Sequence, residues 1–240
     1  MRARSVVERL GRGEPAEFAR AAADAFDPDI LTIGFARRIA TYKRLGLLVS
    51  DIESARQLLR GPRPVQIVLA GKAHPSDEDG KRLLQALFEL KLMPEVAGRV
   101  VYLEDYDLAT AALLVQGADV WLNLPRPPLE ASGTSGMKAA VNGGLNVSVL
   151  DGWWAEGYDG ANGWALSGEV LEDQAFQDAR DGAELERLLR EEVVPLFYER
   201  DDDGIPQGWI RRMKASLRSI GPAFSAQRML RDYLEQEYGG

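Results

Sequence analysis

An α/β fold built on a doubly wound parallel sheet is the architecture predicted by this sequence, and three observations point to it. Short runs rich in Val, Ile and Leu recur along the first 150 residues, each long enough for one buried strand. Between them lie amphipathic stretches of helical length, which is the spacing that βαβ crossovers require. The 240 residues, 45% hydrophobic and 28% charged, can bury the core of one large α/β domain or two small ones.

In order, Pro15–Phe26 reads as a helix and Ile30–Phe35 as a buried strand. Tyr42–Leu59 reads as one helix, and Val65–Ala70 as a second strand stopping at Gly71. Gly80–Leu92 is helical, Arg99–Leu103 a strand and Leu108–Gln116 a helix. Ala118–Leu122 is a strand, Gly136–Asn142 a helix and Leu145–Leu150 a strand. The texture then changes: Asp151–Gly163 is rich in Gly and Trp, and Gly168–Asp181 is acidic. Three helices follow, Ala183–Tyr198, Gln207–Ser219 and Ala223–Tyr238, whose apolar positions are expected to cover the sheet. The chain divides into a helical lead-in, 1–27, and a cofactor- or phosphate-binding domain, 28–240, that includes the C-terminal helices.

Composition narrows the function. A formal net charge of -8 argues against general nucleic-acid binding. With no cysteine there are no disulfides, thiol nucleophiles or thiolate metal sites, and with one histidine, His74, a His-rich metal site or a Ser-His-Asp triad is improbable. No apolar run approaches the roughly 18 residues that span a bilayer, and Met1-Arg2-Ala3-Arg4 leads into no signal-peptide core. The expectation is a cytoplasmic chain that binds neither membrane nor nucleic acid.

In a doubly wound domain, ligands bind at the carboxyl edge of the strands, and four loops are expected there. Arg37, Arg38, Lys43 and Arg44 put four cations into eight residues of an otherwise acidic chain, where they would concentrate anions; arginine adds the fork geometry that suits phosphate. The second loop, Ala70–Pro75, carries Lys72 and His74, the latter either structural or catalytic. In the third, Leu103-Glu104-Asp105-Tyr106, the tyrosine would either pack against a flat ring or fill the core. The fourth, Glu130-Ala131-Ser132-Gly133-Thr134-Ser135-Gly136-Met137-Lys138, is the most informative. It holds an acid, three hydroxyls, two glycines and a lysine in nine residues. Small residues let backbone N–H groups approach a phosphate, and a helix beginning here aims its positive end at the anion. Lys138 follows Thr134 by four residues, so the two share a face. From spacing alone this segment reads either as a plain loop opening a helix, with a solvated lysine, or as the seat of a phosphorylated cofactor whose aldehyde is held on that lysine. Trp153, Trp154 and Trp164 read as packing and stay outside the site.

Taken together and in this order, Arg37–Arg44, Gly71-Lys72-Ala73, Leu103–Tyr106 and Glu130–Lys138 resemble the α-glucan (glycogen/starch) phosphorylases. Asn142-Gly143-Gly144-Leu145, Leu150-Asp151-Gly152, Phe224-Ser225 and Arg228-Met229 continue the likeness from about residue 28 to 238, in the manner of the shorter bacterial branch. The resemblance implies a pyridoxal 5'-phosphate enzyme of two-domain glycosyltransferase (GT-B) architecture, of which this chain looks like the Rossmann-like, C-terminal, cofactor-bearing domain. Lys138 would hold the cofactor covalently. Thr134, Gly133, Arg37 and Lys43 would contact its phosphate, with Tyr106 nearby. Arg38 and Lys43 would hold the substrate phosphate, and Glu130, Ser132 and Gly133 would bind glucosyl hydroxyls or neighbouring phosphate oxygens. Lys138, Arg38 and Lys43 would be the catalytic set.

The implied reaction is phosphorolysis of α-1,4-glucan by inorganic phosphate to glucose 1-phosphate with retention. The cofactor's phosphate, rather than its ring, assists it. Two phosphates side by side repel unless cations surround them, and Arg37, Arg38 and Lys43 would supply those charges. Covalent attachment needs an unprotonated amine, favoured by burial and neighbouring cations at Lys138. Glu130 would orient sugar hydroxyls rather than act as a glycosidase acid, since no paired carboxylate is evident.

The chain departs from the animal and plant pattern in three places: Arg37 stands where lysine is usual, Asp107 where arginine is usual, and Ser135-Gly136 where Gly-Asn is usual. The partner domain expected on the N-terminal side is missing, so the chain alone is expected to be nearly inactive and, with apolar surface uncovered, prone to homo-oligomerise. A non-catalytic glucan- or phosphate-binding module, or a subunit requiring a partner, is one alternative. The donor domain of a nucleotide-sugar glycosyltransferase is another, which Lys138 and the unbroken Ser/Gly/Thr segment oppose.

Overall fold

The computed structural model describes residues 26–49, 52–93, 98–103 and 106–238, with residues 7, 10, 11, 13 and 16 before them. The helix expected over Pro15–Phe26, and hence the 1–27 lead-in, falls outside the described residues apart from single positions, as do Glu104 and Asp105.

Six strands form one parallel sheet: β1 (Leu31–Ala36), β2 (Val65–Ala70), β3 (Val100–Leu103), β4 (Val120–Asn123), β5 (Leu145–Val149) and β6 (Gly163–Leu166). Their order is β3-β2-β1-β4-β5-β6, and each neighbouring pair is parallel. The chain thus winds outward from β1 in one direction and resumes from β4 in the other. The sheet is doubly wound, with its switch point between β1 and β4.

Alternation along the strands builds two cores. Leu31, Ile33 and Phe35 of β1, Val65, Ile67 and Leu69 of β2, and Leu145, Val147 and Val149 of β5 point to one face. Helices α1 (Ile52–Arg60), α2 (Glu78–Leu92) and α6 (Gln174–Leu188) cover that face through Leu59, Leu87, Leu185 and Leu188. A π-helical turn, Leu189–Val193, joins α6 to α7 (Val194–Tyr198). On the opposite face Ala36, Val68, Ala70 and Trp121 pack against Leu114 and Val115 of α3 (Leu108–Gly117) and Ala139 of α4 (Thr134–Val141). Asp107 caps α3 by accepting from the Thr110 N–H at 2.7 Å. A third cluster joins Ala140 to Trp153 and Trp154 of the short α5 (Trp153–Gly157) and to Ile220 of α8 (Gln207–Ala223). The expectation that these tryptophans pack is met: both are buried.

The departures from expectation are local and have causes. Tyr42–Leu59 is not one helix. It comprises 3₁₀ turns at Thr41–Lys43 and Leu45–Val49, followed by α1. Arg44 breaks it, with φ 47 and ψ 39 in the left-handed region, because its guanidinium is drawn inward. The acidic stretch Gly168–Asp181 contains the start of α6. Asp173 caps that helix by accepting from Ala175 N and Phe176 N, so it begins nine residues before the expected Ala183 (183 − 174 = 9). Strand β6 and helix α5, within and beside the Gly/Trp-rich stretch, were not expected. The last helix, α9 (Ala226–Gln236), buries no residue and so does not cover the sheet. Helix α8 runs on to Ala223, past the expected end at Ser219, and α9 starts at Ala226 rather than Ala223; other boundaries differ by one or two residues. Among the described residues, no helix is long and apolar enough to cross a membrane.

Candidate functional site: the β1–β4 switch-point crevice

Where β1 and β4 part, the loop 37–44 leaves one strand and the loop 124–133 leaves the other. Each carries one half of a charge cluster. Glu130 Oε2 accepts from Arg37 Nη1 at 3.3 Å and from Lys43 Nζ. The Arg37 and Glu130 side chains are only 8% and 10% exposed, and Lys43 is equally sheltered. Arg37 Nη2 donates to Ser135 Oγ at 3.2 Å, an oxygen that also accepts from Trp121 Nε1 at 3.2 Å. Arg37 Nε is buried and has no partner among the described residues. Two cations therefore share one carboxylate oxygen, which leaves the cluster with one positive charge in excess and one buried donor unsatisfied.

The surrounding groups respond to this field. Burial lowers the Arg37 pKa, against the opposing pull of Glu130, Tyr42 and Tyr106. Burial pushes the Tyr42 hydroxyl up, but hydrogen bonds from Lys43 and Arg38 outweigh it and bring the pKa below the ordinary phenol value. Lys43 Nζ also lies 4.5 Å from the centroid of the Tyr42 ring. Tyr106, half-buried against the Ala36–Trp121 core, is raised by burial, with Arg37 opposing.

Backbone contacts fix both loops. The Arg37 N–H donates to Ala70 O at 3.1 Å and the Ile39 N–H to Lys72 O at 3.1 Å, which anchors the first loop to the end of β2. The Arg126 N–H donates to Tyr42 O at 2.7 Å and ties the second loop to the first. Asp151, just past β5, orients Glu130 by accepting from its N–H at 2.9 Å, while its other oxygen accepts from Gly152 N–H at 2.9 Å. The Trp153 N–H donates to Ser132 O at 2.9 Å. This approach requires Gly152: at φ 55, a Cβ there would lie 2.5 Å from Ser132 O and 2.9 Å from Glu130 O. Gly133, at φ 86, turns the chain into α4.

Arg44 does not join Arg37 and Lys43 in the crevice, contrary to the reading of a four-cation loop. Its side chain is 2% exposed and donates to Leu124 O at 3.1 Å, Pro125 O at 2.9 Å, Asp181 Oδ2 at 2.7 Å and Asp178 Oδ1 at 3.0 Å. Arg126 Nη2 donates to Asp178 Oδ2 at 2.6 Å. One buried arginine thus joins the β1 loop, the β4 loop and α6.

Of the other anticipated residues, Arg38 is exposed and reaches the Tyr42 hydroxyl at 3.5 Å instead of Glu130. Thr134 and Lys138 share a face of α4, as their spacing predicts, but both are exposed. The burial expected around Lys138 is absent among the described residues, and its amine makes no hydrogen bond or ion pair there. Ser132 and Gly133 are partly exposed beside Glu130. Lys72 and His74 are exposed, and His74 Nδ1 lies 2.7 Å from Ser76 Oγ, a bond within its own turn. Sequence reasoning missed Ser135 as a partner of Arg37, Asp151 as the group holding Glu130, and the Asp178–Asp181 pair. Asp151 carried a signal, lying in a Leu-Asp-Gly step directly after a buried strand. The aspartates of α6 carried none.

The profile of the carbohydrate phosphorylase family matches residues 19–160. Glycogen phosphorylase of Aquifex aeolicus is 49% identical over 213 residues, which cover 88% of this chain and 30% of that protein. Glycogen phosphorylase of Mycobacterium tuberculosis is 49% identical over 218 residues, covering 90% of this chain and 25% of that protein. Maltodextrin phosphorylase of Thermococcus litoralis is 48% identical over 233 residues, covering 96% of this chain and 27% of that protein. The chain spans 25–30% of the length of these relatives. The cation cluster at the switch point and the Gly-rich entry to α4 both lie inside the matched residues 19–160, and on that match the chain belongs to the carbohydrate phosphorylase family.

Proposed function

We propose that this chain is the cofactor- and phosphate-binding part of a pyridoxal 5'-phosphate-dependent α-glucan phosphorylase, acting together with further sequence that its longer relatives contain. The reaction is attack of inorganic phosphate on α-1,4-glucan to release glucose 1-phosphate with retention. The observation that carries this reading is the convergence of Arg37 and Lys43 on the crevice beside the start of α4, with one positive charge in excess and Arg37 Nε unsatisfied.

Those features fit a phosphorylated cofactor. A buried guanidinium with an open donor calls for an anionic oxygen. Arg37 donates to Ser135 in the first turn of α4, so that helix start lies beside the same loop, where its dipole favours negative charge. Lys138, on the accessible face of α4, offers a free amine for covalent attachment. Arg37, Lys43, Gly133 and Thr134 would hold the cofactor phosphate, with Tyr106 beside it. When bound, the cofactor would supply its phosphate as the proton-exchanging neighbour of the substrate phosphate.

This chain's residues would do the rest. Arg38 and Lys43 would hold the incoming phosphate, and the cations would offset the repulsion between two phosphate groups in a sheltered site. Glu130, Ser132 and Gly133 would bind the glucosyl hydroxyls.

The test is to incubate the purified chain with pyridoxal phosphate, reduce with borohydride and map the modified peptide. Stoichiometric labelling at Lys138, lost in Lys138→Ala with the fold retained, is the expected result. Labelling scattered over surface lysines, or unchanged in Lys138→Ala, would overturn the assignment.

A further inference from the structure

Glu130 lies against both cations of the crevice. Its carboxylate is the counter-ion of both Arg37 and Lys43, and the three side chains are almost wholly sheltered. Yet the match is incomplete. A single oxygen, Oε2, serves both cations, the arginine contact is long at 3.3 Å, and Arg37 Nε is left without an acceptor. A carboxylate that satisfied the guanidinium fork would engage it with two oxygens. A tetrahedral dianion brings more oxygens and twice the charge, so it can serve Lys43, Arg37 Nη1 and the open Arg37 Nε at once.

The other charged and polar groups nearby do not take up this role. Asp151 is held by the Glu130 and Gly152 N–H groups. Ser135 already accepts from Arg37 and Trp121. Arg38 is exposed and directed to Tyr42. Glu130 alone neutralises the pair among the described residues.

We propose that Glu130 is an affinity-setting internal counter-ion: it occupies the Arg37–Lys43 cradle in the free chain, and a phosphate dianion must displace it to bind. The inference rests on reading Arg37 and Lys43 as a phosphate site. It adds a consequence opposite to that of an ordinary binding residue, because removing the Glu130 charge strengthens anion binding. The competition lowers the affinity of every anion by the same factor, so weakly held monoanions are kept out while a phosphate group still enters. It also means that Glu130 can turn to a sugar hydroxyl only once phosphate has released it.

Titration calorimetry of inorganic phosphate and of sulfate against the wild-type chain and Glu130→Gln tests this. The variant should bind both anions more tightly by about tenfold or more, the effect of removing one charge-assisted competitor. Its melting temperature should also rise more on addition of phosphate than that of the wild type. Glu130→Asp, which keeps the charge on a shorter arm, should give a smaller gain in the same direction and answers the question if the glutamine variant does not fold. Binding by the variant where the wild type shows none supports the proposal. Wild-type binding that is unchanged or weakened in Glu130→Gln overturns the counter-ion role and leaves the phosphate site standing. Absence of binding by both overturns the site and the counter-ion role together.

Discussion

Arg44 is the most exacting place to test how the site is held. Among the described residues it is the one non-glycine with positive φ, and that conformation costs about 1 kcal/mol or more. In exchange, its guanidinium makes four contacts, two to the β4 loop carbonyls and two to aspartates of α6. In Arg44→Met, a replacement of similar length, neither carboxylate is abandoned. Asp181 keeps Arg180 at 3.1 Å and Asp178 keeps Arg126 at 2.6 Å. The carbonyls of Leu124 and Pro125 lose this donor inside the protein, at about 1–3 kcal/mol each if left bare. With the broken ion pair, the total should fall near 3–5 kcal/mol. Urea unfolding followed by near-UV circular dichroism measures it. Hydrogen exchange should also show the Arg126 amide, bonded to Tyr42 O, losing protection before the strands do. A double-mutant cycle with Asp181→Asn should return a coupling of about 0.5–3 kcal/mol. A cost below about 1 kcal/mol for Arg44→Met, or no coupling to Asp181, would refute the claim that this arginine holds the two loops together.

Two further outcomes follow from Asp119 and Gly152. Asp119, whose Oδ2 accepts from the Thr32 N–H at 2.8 Å, has its pKa pushed up by burial to about 6 from 3.8. The folded state therefore holds this proton more tightly than the unfolded one, so stability falls as pH rises from about 4 to about 6 and levels off above. Asp119→Asn should flatten that slope and stabilise the neutral-pH protein by about 1–3 kcal/mol in urea titrations; parallel pH profiles for the two proteins would contradict this. Gly152→Ala forces a Cβ against the carbonyls of Ser132 and Glu130. It should cost about 2–3 kcal/mol and alter the near-UV signal of Trp153, whose N–H bonds Ser132 O. A neutral effect would mean the β5–β4 loop contact is slack.

How far the sequence announced this structure depended on whether each signal was local. Val65–Ala70 is buried at all six positions, so a run apolar everywhere but Gln66 identified it to the residue. Residues 42–49 misled because Lys43 and Arg44 look solvent-seeking yet are buried, and their partners lie in loops and helices remote in sequence. Helical periodicity cannot report a turn imposed by such tertiary pairing. The acidic stretch was read for its charge, while its one local signal, Asp173 ahead of Ala175 and Phe176, marked a helix start. At the site, the motifs identified Arg37, Lys43 and Glu130, but not that they face one another. That required the strand order, which brings the ends of β1 and β4 side by side.

The crevice divides into a finished half and an open one. Arg37 and Lys43 are buried, Glu130 is largely sheltered, and their loops are pinned by Arg44, Arg126 and Asp151, so these charges are pre-positioned by this chain's own contacts. Thr134 and Lys138 instead stand on an exposed helix face, where water has free access to the amine. Electrostatic pre-organisation is most effective in a site from which water is excluded. If Lys138 has the proposed role, the surface that excludes water from it must come from outside the described residues, on the side of α4 that carries Thr134 and Lys138. The two halves then separate experimentally. Inorganic phosphate should bind this chain without help, while borohydride labelling of Lys138 should become faster and more selective when that face is covered. If covering the face leaves the labelling rate unchanged, the exposed half is already complete.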